Sequence, residues 1–376
     1  MRIAVNTRLL IRNKLEGIGW VMYESLKRIT TQHPEHDFYF IFDRKYDDSF
    51  IFSDNVHPVV VPPQARHPFL YYLWFEYSIP FILRKIKADM FLSPDAYLSL
   101  SSRVPSLAMF HDLNFEHYPG DLPYLERKYY CYFFPRYARK ADRIVTVSHF
   151  SKRDIINQYN IPEEKIDVVY NGANELFIPL SEEEKQKTRM QFTEGNPYFL
   201  FVGALHPRKN IARLFRAYDY FRKNCSCETK LLIVGNKKWW TKDINLAYEG
   251  MTYKQDVYFA GRQPAADLHR VIGSALALAY VSYFEGFGIP IVEAFYCETP
   301  VITSNVTSMP EVAGDAALLV DPFSVVSIAD ALRKIAESED LRRNLVEKGR
   351  IRRQLFNWNN TADMLWLSIE KVLQKK

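Results

Sequence analysis

Short apolar runs alternate with segments long enough for a helix, and this alternation occurs twice along the 376 residues. The first series comprises Met1–Asn6, Phe38–Phe42, Val56–Val61, Met90–Ser93, Leu107–Phe110 and Arg143–Val147. The second comprises Tyr198–Val202, Lys230–Val234, Val257–Phe259, Leu276–Tyr280, Val301–Thr303 and Ala317–Val320. Strand-like runs separated by helical segments are typical of parallel sheets with helices on both faces. The sequence therefore predicts an α/β chain with two such sheets.

A polar, helix-forming stretch at Glu175–Pro197 separates the two series. A chain of this length also fits the usual size of two domains, each of ~100–200 residues. At the other end, Asn359–Lys376 carries its apolar side chains at helical spacing on one face. We therefore expect domains at residues 1–178 and 179–358, followed by a helix at residues 359–376.

Composition excludes several classes of protein. Apolar runs such as Ser274–Phe284 fall far short of the ~20 residues that a membrane span needs. The net charge of +5 is too small to indicate a nucleic-acid-binding protein. The four cysteines form no C-x-x-C motif, and Cys225 and Cys227 are too close in sequence for an ordinary disulfide. With no export signal in MRIAVNTRLL, a cytoplasmic location is expected.

The segment FEGFGIPIVEA follows a predicted strand and contains the residues of a candidate ligand loop. Gly286 and Gly288 would let backbone N–H groups approach a phosphate, and a helix can begin at Pro290. In the first turn of that helix, Glu293 would lie near the phosphate and face a neutral diol such as a ribose. Glu285 would face the other end of the ligand. The alternative is an ordinary turn followed by a solvated helix-start charge.

A second candidate loop, ALHPRKN, follows the strand that ends at Gly203. Arg208 and Lys209 would lie beside the N-terminus of the next helix, where two cations are unfavourable unless an anion is bound. The alternative is a pair of solvated surface charges. Asn210 is an N-cap candidate in either case.

The N-terminal half offers two weaker signals. Gly17 and Gly19 lie between the first strand and the first helix, but Met22 breaks the G-x-G-x-x-G dinucleotide pattern. His111 and Asp112 end an apolar strand, a functional position in a doubly wound sheet. Asp112 would orient the imidazole. A purely structural histidine and an ordinary loop turn are the alternatives.

Together these motifs resemble family-4 retaining glycosyltransferases of the GT-B fold. The resemblance rests on Glu285-x7-Glu293, on PRKN, and on SMPEVAGDAALLV, which leads to Asp321-Pro322. Looser matches are Gly17-Ile18-Gly19, His111-Asp112-Leu113, Val147–Ser151 and Tyr170-Asn171-Gly172. The resemblance implies two facing Rossmann-like domains with a central cleft and a C-terminal helix that crosses back to the N-terminal domain. The C-terminal domain would bind a nucleotide sugar and the N-terminal domain the acceptor.

The resemblance also implies roles for individual residues. His111 and Glu285 would be the catalytic residues beside the donor sugar. The donor diphosphate would contact Arg208, Lys209, Gly17, Gly19, Gly288 and Ile289. Glu293, Phe287 and Gly286 would bind the ribose and sugar hydroxyls, and Gly261 and Arg262 the nucleobase. Some relatives carry a further arginine where this chain has Ala204.

The implied reaction is retaining transfer of a hexosyl group from a GDP- or UDP-linked sugar to a saccharide or lipid-linked saccharide acceptor. Mannosyl is favoured by resemblance. No cofactor is implied, and no metal, since the chain has no Asp-x-Asp triplet and the basic residues must then neutralise the diphosphate. Alternatives with this fold are a nucleotide-sugar-binding protein and an epimerase or phosphorylase that does not transfer to an acceptor. The missing dinucleotide pattern disfavours an NAD-dependent dehydrogenase.

Aromatic residues make up 15% of the chain and concentrate in Phe69–Phe81 and Arg127–Arg143. One interpretation is that both segments form core helices. The other is that Trp74, Tyr130 or Phe134 form an apolar acceptor or lipid-facing surface. Basic residues would then meet anionic headgroups, namely Arg84, Lys85, Lys87, Arg139 and Lys140. This second interpretation predicts peripheral contact with the inner face of the cytoplasmic membrane.

Overall fold

The computed structural model describes residues 1–374, apart from the side chain of Lys238. The chain forms two compact units: one is Met1–Asn171 with the C-terminal helix, and the other is Gly172–Asn357. The division falls at 171/172, before the expected position at 178/179. Residues around 178 to 180 contact the second unit: the Ile178 carbonyl accepts a hydrogen bond from His269 at 3.0 Å, and Leu180 packs against Gly273.

The first unit is built on a seven-stranded sheet in which every pairing is parallel. Its strands are β1 (Arg2–Asn6), β2 (Asp37–Phe42), β3 (Val56–Val60), β4 (Met90–Ser93), β5 (Ser106–Phe110), β6 (Arg143–Thr146) and β7 (Ile166–Val168). They lie in the order β3-β2-β1-β4-β5-β6-β7. The order reverses between β1 and β4, and Ile3 pairs with both Phe38 and Met90. Ligands of such sheets bind at the carboxyl ends of strands near this reversal.

Helices of the first unit are α1 (Gly17–Gln32), α2 (Pro68–Leu73), α3 (Ile79–Ile86), α4 (Asn114–His117), α5 (Tyr124–Lys140) and α6 (His149–Tyr159). A π turn, Trp74–Ser78, joins α2 to α3. The terminal helix Trp358–Leu373 packs in the same unit, where the Trp366 ring stacks on His33 at 3.6 Å. Its Thr361 hydroxyl donates to the Tyr170 carbonyl at 2.7 Å.

The second unit repeats the architecture with a six-stranded parallel sheet. Its strands are β8 (Tyr198–Val202), β9 (Lys230–Val234), β10 (Val257–Gly261), β11 (Ala277–Tyr280), β12 (Val301–Ser304) and β13 (Ala317–Val320), in the order β10-β9-β8-β11-β12-β13. Its helices are α7 (Glu182–Thr193), α8 (Ile211–Asn224), α9 (Lys242–Glu249), α10 (Ala265–Gly273), α11 (Ile289–Tyr296), α12 (Met309–Ala313), α13 (Val325–Glu337) and α14 (Glu339–Arg352). The predicted pair of α/β sheets is confirmed.

The aromatic segments of the first unit divide between core and surface. Trp74 and Phe134 are buried, so the interpretation that they form an outer acceptor or lipid surface is wrong. Tyr130 is partly buried, and its hydroxyl accepts a hydrogen bond from Tyr97 at 3.0 Å. The aromatic side chains that do face outward on α2, the π turn, α3 and α5 are Phe69, Tyr72, Tyr77, Phe81, Tyr124 and Tyr132.

One cysteine expectation is also wrong. Cys225 and Cys227, directly after α8, are joined by a disulfide with their Cα atoms 5.4 Å apart. The backbone is extended at Cys225, with φ of −134° and ψ of 132°. A separation of two residues therefore does not prevent pairing here.

Candidate functional site

The two candidate loops of the second unit follow strands that are neighbours in the sheet. Arg208 and Lys209 follow β8, while Glu285 follows β11, and β8 pairs directly with β11. In a parallel sheet the carboxyl ends of adjacent strands lie at one edge, so side chains far apart in sequence meet there. This also explains why the predicted loops come together.

Glu285 lies between the two cations. Its Oε1 is 2.5 Å from Lys209 Nζ, and its Oε2 is 2.6 Å from Arg208 Nη1. The anion expected beside the two cations is thus a carboxylate of the chain itself. Burial opposes ionisation of Glu285, but the charges of Arg208 and Lys209 outweigh it and lower its pKa to about 2. The carboxylate is therefore ionised at neutral pH.

The cation pair has further partners within the unit. Lys209 Nζ also donates to the Tyr280 hydroxyl at 2.5 Å, and Arg208 Nη1 donates to the Phe284 carbonyl at 3.1 Å. Burial raises the pKa of Tyr280 well above its usual value, so the hydroxyl stays neutral. The two cations and one carboxylate of this group leave one positive charge among them, which favours an anionic ligand.

The loop between Glu285 and α11 is held by Ser308. The Ser308 hydroxyl lies 2.9 Å from the Glu285 carbonyl and 3.1 Å from the Phe287 carbonyl. Gly288 occupies the left-handed region at φ of 101° and is the N-cap residue of α11. The first N–H groups of a helix lack intrahelical partners and favour an anion. Gly286, Phe287, Gly288 and Ile289 thus lie at the start of a helix beside the cation pair.

Glu293 is the fifth residue of α11, one residue beyond the first turn in which it was expected. The helix begins at Ile289, before Pro290, because Gly288 supplies the left-handed N-cap. Burial raises the pKa of the Glu293 carboxyl to about 7, although part of the side chain remains exposed. Among residues 1–374 the structure records no hydrogen bond or ion pair of this carboxylate. It is therefore available to a ligand.

Asn210 stands at the N-cap position of α8, but its side chain does not cap the helix. Instead, Asn210 Nδ2 donates to the Val281 carbonyl at 3.0 Å and to the Pro322 carbonyl at 2.7 Å. These bonds tie the basic loop to the segments that follow β11 and β13. The sequence indicated only an N-cap role for Asn210. Its actual partners lie 71 and 112 residues away in the chain, so the local sequence could not reveal them.

Sequence reasoning missed Gly235, which follows β9. A Cβ atom at this position would lie 1.9 Å from the Gly203 carbonyl oxygen. Only glycine lets the ends of β8 and β9 approach this closely. A glycine directly after the apolar run KLLIV was the available signal. Its backbone N–H donates to the Gly261 carbonyl at 2.9 Å, linking the ends of β9 and β10.

The residues expected to contact the nucleobase lie at the end of β10. Gly261 has φ of 66° and open space around its Cα, and Arg262 is exposed. One strand, β9, separates β10 from the basic loop that follows β8. The geometry places both residues at the same edge of the sheet as the cation pair.

In the first unit, His111 follows β5 and its Nε2 lies 2.7 Å from the Pro94 carbonyl oxygen. Asp112 was expected to orient this imidazole, but its Oδ1 instead accepts the Asn114 N–H at 3.0 Å. Burial lowers the pKa of His111, although the Pro94 bond and the charges of Asp112 and Asp95 oppose the shift. The ring is therefore neutral at pH 7.

Gly17 and Gly19 lie in the first turn of α1 rather than in a separate loop turn. A Cβ at Gly17 would meet no atom within 4 Å, whereas one at Gly19 would lie 3.3 Å from the Leu9 carbonyl. The backbone at Gly17 is thus open to a ligand. Across residues 1–374, no three His, Cys, Asp or Glu side chains are grouped closely enough to hold a metal ion.

Two α/β units, each built on a parallel sheet, match the GT-B fold, and the family models identify a glycosyltransferase. The model for "Glycosyl transferases group 1" matches residues 182–352, and that for "Glycosyltransferase Family 4" matches residues 16–175. The chain therefore belongs to the family-4 type of GT-B glycosyltransferases, as the resemblance of its motifs implied.

Similar proteins support this assignment. O-antigen chain mannosyltransferase B of Escherichia coli is 28% identical over 93% of this chain and 94% of its own length. O-antigen chain mannosyltransferase RfbU of Salmonella typhimurium is 30% identical, over 61% of this chain and 60% of its own length. Among solved structures, Anabaena Alr3699/HepE in complex with UDP-glucose has a TM-score of 0.76 and 17% identity, covering 99% of this chain and all of that one.

Proposed function

We propose that this glycosyltransferase moves a hexosyl group from a nucleotide-diphosphate sugar to a saccharide or lipid-linked saccharide during surface polysaccharide biosynthesis. The observation that carries the proposal is the contact of Glu285 with Arg208 and Lys209 at the carboxyl ends of β8 and β11. The surplus positive charge of this group suits a diphosphate. No other cofactor is needed, because the donor is itself a substrate.

Each residue of the second unit has a proposed task in donor binding. Arg208 and Lys209, together with N–H groups at Gly288 and Ile289, bind the diphosphate. The unpartnered carboxylate of Glu293 accepts hydrogen bonds from ribose hydroxyls, and Gly286 and Phe287 contact sugar hydroxyls. Gly261 and Arg262 face the nucleobase. In the first unit, the open backbone at Gly17 is proposed to contact a ligand.

The proposed transfer breaks the bond between the sugar C1 and the phosphate oxygen, and the electron pair leaves with the diphosphate. The acceptor oxygen forms the new bond to C1, and its proton passes to the departing phosphate. Arg208 and Lys209 stabilise the charge that develops on the leaving group without a metal ion, an effect worth ~3–4 kcal/mol for one well-placed donor. Glu285 of the second unit acts beside the sugar, and neutral His111 of the first unit is proposed to accept a hydrogen bond from a substrate hydroxyl.

We propose same-face attack with retention of configuration. A double displacement would need a carboxylate nucleophile beside C1. Glu285 is held by two cations, and the pKa of Glu293 is raised to about 7 on a helix that we assign to ribose binding. Neither is suited to that task. Isolation of a covalent glycosyl-enzyme would exclude this mechanism.

The proposed sugar is mannose, because both O-antigen relatives are named mannosyltransferases. The Anabaena protein was solved with UDP-glucose, so a glucose-type UDP donor is the second candidate. Surface polysaccharide synthesis is proposed on the same basis, because both relatives are named for the O-antigen chain. A cytoplasmic location stays a prediction from the sequence.

The direct test is an activity assay with GDP-mannose and UDP-glucose against a panel of saccharide and lipid-linked acceptors. Release of nucleoside diphosphate that depends on acceptor, with an NMR-determined α-anomeric product in the presence of EDTA, is the expected result. Donor hydrolysis without any acceptor product, or binding without turnover, would favour a donor-binding protein. Lys209→Met should abolish transfer. The matched Lys348→Met variant, which removes an exposed lysine paired with Asp315, should not.

We also propose that the first unit contacts an anionic membrane, where a lipid-linked acceptor would lie. Phe69, Tyr77, Phe81 and Tyr124 are each more than 60% exposed, an unusual display for aromatic side chains. Arg136 lies 3.6 Å from the centre of the Tyr132 ring, a pairing of cation and ring that suits the headgroup region. Exposed cations nearby include Arg84, Lys85, Lys87 and Arg139, with Lys140 partly exposed. Within residues 1–374 no helix is long and apolar enough to span a bilayer.

Co-sedimentation with vesicles tests this contact. Binding to phosphatidylglycerol-containing vesicles that weakens with salt is expected, with no binding to phosphatidylcholine alone. Tyr77→Ser with Phe81→Ser should reduce binding, whereas Tyr220→Ser, an exposed tyrosine of the second unit, should not. Equal pelleting of all variants would remove the membrane proposal without affecting the donor site.

A further inference from the structure

Three neighbouring strands of the first sheet end near His111, beside a buried Arg8–Asp95 ion pair that has no role in the proposed reaction. Arg8 follows β1, Pro94 and Asp95 follow β4, and His111 follows β5. The strands are adjacent in the order β1-β4-β5. Their carboxyl ends therefore bring an arginine, a carboxylate and a histidine to one place.

Asp95 is the centre of this group. Its Oδ2 accepts from Arg8 Nε at 2.7 Å, and its Oδ1 accepts from Asn6 Nδ2 at 2.7 Å. The Ser93 hydroxyl donates to the same Oδ1 at 3.1 Å. Asn6 and Ser93 are fully buried, and Asp95 and Arg8 are nearly so. Buried hydrogen bonds to a carboxylate from both sides fix the turn in which Asp95 lies.

Arg8 is held as firmly as its partner. Its guanidinium lies 4.4 Å from the centre of the Tyr97 ring and 5.2 Å from that of Tyr71. Its Nη1 also donates to the Ala65 carbonyl at 3.3 Å. A buried ion pair is weak evidence of stabilisation by itself, and in some proteins such pairs are retained because they fix one geometry.

The turn presents one carbonyl to His111. The Ala96 N–H donates to the Ser93 carbonyl at 3.3 Å, and Ala96 takes a left-handed φ of 69° that is unusual for a residue with a Cβ. This geometry leaves the Pro94 carbonyl 2.7 Å from His111 Nε2. A carbonyl only accepts, so Nε2 carries the proton and Nδ1 of the neutral ring keeps its lone pair.

We propose that Arg8 and Asp95 are positioning residues for His111. Their ion pair fixes the turn whose Pro94 carbonyl holds the imidazole in the Nε2–H tautomer, with Nδ1 as an acceptor for a substrate hydroxyl. The catalytic consequence rests on the proposed function. The tautomer itself is a property of the resting protein and is testable without substrate.

The charges around His111 predict the direction in which its pKa changes when Arg8 or Asp95 is replaced. Asp112 on its own segment and Asp95 from the β4 loop both favour the protonated ring, while Arg8 neutralises Asp95. Loss of the Asp95 charge should therefore lower the pKa of His111. Loss of the Arg8 charge should raise it, because Asp95 is then uncompensated. General damage to the fold would not move the pKa in opposite directions.

The test uses the full-length protein labelled with ¹⁵N-histidine, with the His111 signals assigned by their loss in His111→Gln. Imidazole ¹⁵N spectra across pH should show a neutral Nε2–H tautomer in the wild type. The titration midpoint should move to lower pH in Asp95→Asn and to higher pH in Arg8→Gln. Tyr97→Phe is the matched control, because it removes a buried hydroxyl that bonds Tyr130 and leaves the ion pair intact. Its tautomer and midpoint should equal those of the wild type.

Arg8→Lys keeps the charge and serves if a neutral variant does not fold. It should populate both tautomers while its midpoint stays close to that of the wild type. Shifts in the same direction for Asp95→Asn and Arg8→Gln, or an unchanged tautomer in Arg8→Lys, would overturn the proposal. In transfer assays the variants should lose kcat by about 10- to 100-fold with little change in the donor KM. A confirmed tautomer with no transferase activity in the wild type would contradict only the proposed function.

Discussion

Lys209 Nζ and Glu285 Oε1 lie 2.5 Å apart although the residues are separated by 76 positions in sequence. The contact joins the loops after β8 and β11, and Arg208 completes it on the other carboxylate oxygen. The sequence suggested that a bound anion would lie beside the two cations, and the structure places the carboxylate of Glu285 there. The first consequence concerns stability.

Glu285→Gln should lower the free energy of unfolding at pH 7 by about 3 kcal/mol, because two cations are left together without their counter-charge. The pKa of Glu285 is about 2, against 4.5 in the unfolded chain, and this lowering also shows that the ionised carboxylate stabilises the fold. It stabilises the fold above about pH 4.5, and this stabilisation is lost as the pH falls toward 2. Chemical denaturation at several pH values measures the difference. Glu337→Gln, which breaks an exposed pair with Arg333, should change little, and equal effects of the two variants would contradict this account.

The same variant should respond more strongly to ligand. With the Glu285 charge removed, Arg208 and Lys209 interact with a diphosphate alone, so saturating GDP or UDP should raise the Tm of Glu285→Gln more than that of the wild type. Thermal unfolding with and without nucleotide measures this. A smaller rise in the variant would show that Glu285 supports nucleotide binding rather than competing for the cations.

Glu293→Gln should remove a pH dependence. Burial raises the pKa of Glu293 to about 7, so donor affinity of the wild type should rise as the pH passes 7 and the carboxylate becomes available to ribose hydroxyls. Affinity of the variant should be weaker and flat with pH. Calorimetric titration between pH 6 and 8.5 tests this, and a sloped profile in the variant would assign the dependence to another group.

Without ligand, the raised pKa of Glu293 has the opposite effect on stability to that of Glu285. Its contribution is present below about pH 4.5 and is lost as the pH rises through 7. At pH 8 we therefore expect the ligand-free Glu293→Gln variant to exceed the wild type in unfolding free energy by about 3 kcal/mol. Denaturation at pH 4 should show no such gain.

Gly17→Ala tests whether a ligand approaches the start of α1. Because a Cβ there meets no atom within 4 Å, stability should stay constant or rise by up to ~0.5 kcal/mol. Transfer should nevertheless fall if a ligand uses this space, since the methyl group would occupy it. Gly120→Ala, which also has open space, should retain full activity. Full activity in Gly17→Ala would remove this glycine from the site.

The sequence predicted the two sheets, every strand except β7, and the loops that carry the site, because apolar runs and glycine or proline punctuation are local signals. The short strand β7 (Ile166–Val168) was missed. The partners of Asn210 and the approach of Gly235 to Gly203 were not predictable, since they depend on which strands become neighbours. The contact of Glu285 with Arg208 and Lys209 depends on the same choice. The sequence indicated that each loop would contact a ligand. The structure shows that the two loops also contact each other, through Glu285 with Arg208 and Lys209.

The aromatic surface shows a different limit. Helical spacing from Phe69 onward does not distinguish Trp74, which is buried, from Tyr77, which is exposed. The π turn Trp74–Ser78 widens the helix by one residue and changes which side chains face outward. A single sequence carries no clear signal for such a turn. The sequence therefore shows where the aromatic residues concentrate but not which of them are exposed.

Calorimetric titration of nucleoside diphosphate against wild type and Lys209→Met tests the central claim, that the edge at β8 and β11 binds the donor diphosphate. Lys209→Met leaves Arg208 paired with Glu285 and removes the surplus charge. It should weaken binding of GDP or UDP by about 10- to 100-fold, with Lys348→Met unchanged. Equal affinity in wild type and Lys209→Met would contradict the account and place the donor diphosphate elsewhere.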